Sequence, residues 1–149
     1  LTRLHSKGYA GVNVTIPHKK AVIPLLDEIS SEAAAIGAVN TIRFRDGRMT
    51  GHNTDYFGLQ WLLKRGGIPL SGQTVVILGS GGAARCAHAL AKDSGVASVT
   101  GVSRDPQTSD PALQAVGYDV LNAMETIGVL INTTPAGMQP DLDGWPETV

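Results

Sequence analysis

The chain has 149 residues, 42% of them apolar, with a formal net charge of -1. That suits one or two small domains with a buried core and leaves no electrostatic footprint for nucleic acid or an anionic membrane. Its single cysteine, Cys86, cannot close an internal disulfide, no Cys/His cluster has zinc spacing, and no apolar run approaches membrane-span length, so a metal-free protein of the reducing cytoplasm is expected.

Residues 1–10 read as the end of a helix stopped by Gly8, feeding a strand over 11–16 in which Val12, Val14 and Ile16 alternate with Asn13 and Thr15. Pro17 ends that strand and can open a helix. Lys19 then falls in a first helical turn, where the positive end of the dipole disfavours an ammonium and primes the side chain for proton transfer. The alternative is a solvated Lys19–Lys20 pair. The pattern stays helical but broken to about Ile36, with a break at Pro24 and a new start capped by Ser30. Residues 37–44 read as a strand, Arg45-Asp46-Gly47 as a turn and 48–51 as its hairpin partner.

A helix follows Asn53-Thr54-Asp55, carries Phe57, Leu59, Trp61, Leu62 and Leu63, and ends in Lys64-Arg65-Gly66-Gly67, as helix C-termini prefer. Asp55 in this position could simply be an N-cap. The Gly/Pro-rich connector 66–72 marks a domain boundary, so residues 1–66 form one part and 67–149 another.

Beyond it, Gln73-Thr74-Val75-Val76-Ile77-Leu78 reads as a strand buried on both faces of a parallel sheet, running into Gly79-Ser80-Gly81-Gly82-Ala83-Ala84 and a helix to about Lys92. Segment 79–84 matches G-x-G-x-x-A in the strand-to-helix setting that the motif requires. Its glycines let the backbone approach a pyrophosphate held at a helix start. A strand over 97–102 leads to Ser103-Arg104-Asp105, where Arg104 and Ser103 suit the 2′-phosphate of NADP and Asp105 suits NAD. A weak helix around 112–116, a short strand at 118–120, a helix over 123–127 and a buried strand at 129–132 complete the pattern.

Together these segments resemble the shikimate dehydrogenase family. The resemblance rests on Asn13-Val14-Thr15-Ile16-Pro17-His18-Lys19, Gly37-Ala38-Val39-Asn40-Thr41, Gly51-His52-Asn53-Thr54-Asp55, the loop Gly79-Ser80-Gly81-Gly82-Ala83, and Ile131-Asn132-Thr133-Thr134-Pro135 with Gly137-Met138. It implies an α/β fold in which part of an open α/β substrate domain joins a Rossmann-like parallel-sheet domain with about four strands. It also implies NADP-dependent reversible reduction of 3-dehydroshikimate to shikimate on the route to aromatic amino acids. By resemblance Lys19 and Asp55 are catalytic, and Thr15, Asn40 and Asp55 bind the small-molecule substrate. Gly79, Ser80, Gly81, Gly82, Ala83, Ser103, Arg104, Thr133, Gly137 and Met138 would hold the dinucleotide, while His18 and His52 would be structural.

The helix from Asp55 would connect the two parts. The family's opening strand, with paired serines for the substrate carboxylate, and a later glutamine segment do not occur within residues 1–149. The chain on its own is therefore expected to be weakly active or inactive. The rival readings are an NAD-using quinate/shikimate dehydrogenase and a non-catalytic nucleotide-binding module.

Overall fold

The structure, a computed structural model, describes residues 1–15, 17–140 and 142–146. The chain divides into two compact units, Leu1–Leu62 and Leu63–Val149.

In the first unit, helix α1 (Thr2–Ser6) ends at Gly8, whose φ of 76° only glycine adopts freely. Strand β1 (Gly11–Asn13), β2 (Glu28–Ile29), helix α2 (Ser31–Ile36), β3 (Thr41–Arg45) and β4 (Arg48–His52) follow. The sheet order is β1-β3-β4-β2, antiparallel except for the parallel β2–β4 pair. The hairpin β3–β4 turns through Asp46 and Gly47, both at positive φ (50° and 75°), a two-residue turn whose twist matches its strands. Val14, Ala33, Val39, Ile42 and Phe44 form the core beneath this sheet.

The strand expected over 11–16 is shorter, since its ladder stops at Asn13, and Ile16 lies outside the described residues. The helix expected from Pro17 does not form. Residues 17–22 run in turns, and Pro24 sits inside a 3₁₀ turn, Ile23–Leu25, rather than at a break. Two hydrogen bonds explain this. The Lys19 carbonyl accepts from the Val39 N–H at 2.8 Å, twenty residues on rather than along a helix. Pro24, having no N–H, cannot bond the Lys20 carbonyl, which takes the Ile23 N–H at 3.2 Å instead. Lys19 is therefore held by tertiary pairing, and this segment supplies no helix dipole to act on it.

Helix α3 (Thr54–Arg65) forms as the sequence predicts, yet Tyr56 is its one buried residue, and Phe57, Trp61 and Leu62 are each more than half exposed. In the second unit β5 (Thr74–Leu78) lies between β6 (Ser98–Val102) and β7 (Val129–Asn132), all parallel, and α4 (Gly82–Asp93) follows the glycine turn. Val75 to Leu78 are at most 1% exposed, as a central parallel strand requires.

Four details of this unit differ from the sequence reading. The described residues form a three-stranded sheet rather than about four strands, with Val116 adding a single parallel bridge to Val102. No helix spans 112–116, because a 3₁₀ turn, Pro111–Leu113, is capped by Asp110 and ended by Gln114 at φ 46°. Strand β7 is half-exposed rather than buried: it pairs with β5 on one side, and Leu130 is 40% exposed. Residues 118–120 belong to a helix, α5 (Tyr118–Asn122), and no helix covers 123–127. Tyr118, Leu121, Met124 and Ile127, three apart in sequence, all pack on Val76, Leu78 and Val102, whereas Val120 is exposed.

His88 on α4 is buried, and that burial, reinforced by the charge of Lys92 and opposed by Asp110, holds its imidazole below the ordinary 6.5. The unfolded chain thus binds this proton before the folded one does. Its contribution to stability is complete above about pH 6.5 and is lost as pH falls through the depressed folded value. His88→Leu is expected to flatten the fall in unfolding free energy between neutral and mildly acidic pH, as measured by denaturant titration at each pH.

Candidate active site and dinucleotide pocket

The first unit gathers a polar site around the start of α3. Asn53 is the residue that caps this helix: its Oδ1 accepts the Asp55 N–H at 3.1 Å. Asp55 is thereby free of the capping role that the sequence left open. Its carboxylate stands in the first helical turn, where the dipole favours a negative charge. Lys19 Nζ lies 3.1 Å from Asp55 Oδ2, and Asn40 Nδ2 donates to Asp55 Oδ1 at 3.0 Å.

Asn40 is held from several sides. Its N–H donates to the His52 carbonyl (3.0 Å), its carbonyl accepts from Val14 (2.8 Å), and its Oδ1 accepts the Thr54 N–H at 2.9 Å. Thr41 Oγ1 also donates to Asn40 Oδ1, at 3.1 Å. The side chains of Lys19 and Asp55 remain 30% and 52% exposed, so both reach solvent.

Thr15 is exposed on the turn that leads to Lys19, with its carbonyl bonded to the His18 N–H. The His52 ring faces Glu32 (Nδ1 to Oε1, 3.7 Å), and His18 is exposed. Burial works against ionisation of Glu32, but hydrogen bonding at the start of α2 and the charge of His52 outweigh it and hold this carboxyl below its ordinary range. Thr54, which the sequence does not mark as a site residue, joins the site through its N–H and through its side chain, which accepts from Asn40 at 3.0 Å.

The second unit carries an open pocket of about 690 Å³ at the C-terminal end of β5 and β6. Of the expected residues Gly79, Ser80, Gly81, Ser103, Arg104, Thr133 and Met138 line it; Gly82, Ala83 and Gly137 do not. Gly82 and Ala83 instead open α4, whose first N–H groups have no partner within the helix and whose N-cap, Gly81, has no side-chain cap. Gly79 has φ 109°, and a Cβ there would come within 2.7 Å of Thr133 Oγ1. Thr133 Oγ1 in turn donates to the Leu78 carbonyl at 2.5 Å, which locks the turn to β7. The backbone therefore passes the pocket bare, as approach of a pyrophosphate requires.

Asp105 lines the same pocket, and its N–H donates to Ser103 Oγ at 3.2 Å. Thr108, Tyr118 and Thr134 also line it. Thr108 and Tyr118 escaped the sequence reading because the elements that carry them, a 3₁₀ turn and α5, were not recognised. Among the described residues no group of three or more His, Cys, Asp or Glu could hold a metal ion, and no helix is long and apolar enough to cross a membrane.

Fold and site define the class: an α/β chain in which a mixed open sheet precedes a Rossmann-like parallel sheet with a glycine turn. The family described as "Shikimate dehydrogenase substrate binding domain" matches residues 1–42. A shikimate dehydrogenase (NADP(+)) of Clostridium perfringens is 42% identical over 141 residues, covering 91% of this chain and 52% of that protein. One from Methanothermobacter thermautotrophicus is 40% identical over 156 residues, covering 96% and 54%.

Among solved structures, a chorismate mutase/shikimate 5-dehydrogenase fusion protein from Clostridium acetobutylicum superposes with a TM-score of 0.92 at 35% identity, over 99% of this chain and 55% of that one. A shikimate 5-dehydrogenase from Thermus thermophilus, in complex with NADP(H) and shikimate, gives 0.80 at 36% identity, over 97% and 54%. The chain belongs to the shikimate dehydrogenase family. It spans about half the length of the curated relatives it matches.

The Gly79–Thr133 contact makes a specific demand. Gly79→Ala is expected to cost roughly 1–3 kcal/mol of folding stability, because an L side chain rarely adopts this φ. It is also expected to weaken dinucleotide binding by on the order of tenfold or more. Denaturant unfolding and a fluorescence titration with NADPH measure the two effects.

Proposed function

We propose that this chain carries the lysine–carboxylate pair and the dinucleotide pocket of an NADP-dependent shikimate dehydrogenase, which reduces 3-dehydroshikimate reversibly to shikimate. In this reading residues 1–66, including α3, belong to the substrate domain and residues 67–149 to the dinucleotide domain, and the enzyme works in the cytoplasm. The observation that carries it is the 3.1 Å pairing of Lys19 Nζ with Asp55 Oδ2, with Asn40 holding the other carboxylate oxygen. A pure binding module has no use for a proton donor poised in this way. The names of the relatives, shikimate dehydrogenase (NADP(+)), support the substrate and cofactor.

The chemistry follows from these groups. Reduction of a ketone leaves negative charge on its oxygen, and an ammonium beside that oxygen both stabilises the charge and delivers the proton. Lys19 has that role. Asp55 holds the ammonium in place and accepts a hydrogen bond from a substrate hydroxyl, while Thr15 and Asn40 orient the ring. When bound, NADPH supplies the hydride. Gly79, Ser80 and Gly81 would cradle its pyrophosphate with Gly82 and Ala83 in the helix start behind them. Ser103 and Arg104 would face the 2′-phosphate, and Thr133, Gly137 and Met138 would lie on the nicotinamide side.

Lys19→Ala is expected to lower kcat for dehydroshikimate by about 10²–10⁴-fold, with NADPH affinity unchanged, as read by steady-state kinetics and a fluorescence titration. A pure nucleotide-binding module would show no such split.

A second reading is favoured at one point. Asp105 shares the pocket with Arg104, and a carboxylate there suits the ribose 2′-hydroxyl of NAD and repels a phosphate. Asp105→Ser is expected to raise the preference for NADP over NAD by about tenfold, roughly 1.4 kcal/mol. Parallel titrations with the two nucleotides check this, and an unchanged ratio would show that Asp105 takes no part in the choice.

A further inference from the structure

We propose that Asn53 is a positioning residue that sets the spacing of Lys19 and Asp55. This rests on the dehydrogenase reading above and deepens it. The segment Ala38–Asn40 is the frame on which both groups hang. The Val39 N–H holds the Lys19 carbonyl at 2.8 Å, and the Asn40 side chain holds the Asp55 carboxylate and the Thr54 N–H. Asn53 fastens this frame to α3. Its Nδ2 donates to the Ala38 carbonyl at 3.0 Å while its Oδ1 accepts the Asp55 N–H at 3.1 Å.

Asn53 is 2% exposed, so both halves of its amide are buried and both are used. Capping alone does not call for this residue, since serine or aspartate caps a helix as well as asparagine does. What they lack, and asparagine supplies, is the N–H donor that reaches Ala38. That donor ties the loop bearing Asn40 to the helix turn bearing Asp55. Without it the frame can drift from the helix, and the lysine–carboxylate geometry drifts with it.

The experiment compares the full chain with its Asn53→Ser and Asn53→Asp variants, both of which keep a cap for α3. Backbone amide hydrogen exchange at Val39 and Asn40 is expected to be about tenfold faster in Asn53→Ser, with Val76 and Ile77 unchanged. The kcat for dehydroshikimate is expected to drop about tenfold with the KM for NADPH unaltered.

Asn53→Asp gives a signature that a capping role would not. Ionised, the introduced carboxylate repels the Ala38 carbonyl; protonated, it donates to it. Its activity relative to the unsubstituted chain should therefore recover as the pH falls and protonation restores a donor to Ala38. Asn53→Ser should show no such recovery.

If the unsubstituted chain does not reduce dehydroshikimate, the dehydrogenase reading stands untouched and the exchange measurement alone decides the role of Asn53. Unchanged exchange at Val39 and Asn40 in Asn53→Ser overturns the proposal. So does an unchanged kcat in an active chain, or pH profiles for the two variants that run parallel.

Discussion

One carboxylate organises the polar face of the first unit. Asp55 has two oxygens and each has a named partner, the Lys19 ammonium on one and the Asn40 amide on the other. An ion pair this exposed contributes only about 0–1 kcal/mol to folding, so stability is a poor reason for the arrangement. Orientation is the better one. Asn40 fixes the plane of the carboxylate, and the carboxylate fixes where the ammonium points.

That precision is supported from below. Ala38, Val39 and Ile42 are buried at 3% or less, so the frame that holds Asn40 rests on the core and not on a free loop. Gly51 belongs to the same support. A Cβ there would come within 2.5 Å of Leu26 Cδ1 and 2.8 Å of Val39 Cγ2, and Val39 is fully buried. The glycine lets β4 run close under Val39, just before His52 and Asn53 deliver the chain to α3. Local packing and local chemistry meet within a few residues.

The second unit solves a different problem with the same economy. A central strand buried on both faces ends in a turn whose backbone must pass close to Thr133. Gly79 meets that need, and Thr133, at the end of β7, occupies the space where a side chain would stand. The pocket is therefore written jointly by two segments more than fifty residues apart. Arg104 and Asp105, of opposite charge, both line this pocket, and on the proposed reading they set the choice of nucleotide.

Much of this was legible in the sequence. The apolar run Val75–Leu78, the glycine turn after it, the Asp46-Gly47 hairpin and the start of α3 are short-range patterns, whereas the cap expected of Ser30 on α2 makes no side-chain hydrogen bond to the helix. The pairing of types at Lys19 and Asp55 could be read only through a family resemblance, and the roles of both remain proposals. Tertiary structure alone decided the rest. Lys19 sits in a turn because its carbonyl pairs with Val39, twenty residues on. The freedom of Asp55 from capping depends on Asn53, and the helix at Tyr118–Asn122 depends on a face that meets β5 and β6. In each case the deciding hydrogen bond or packing contact joins residues that no window of local sequence contains, or selects between two local options of nearly equal energy.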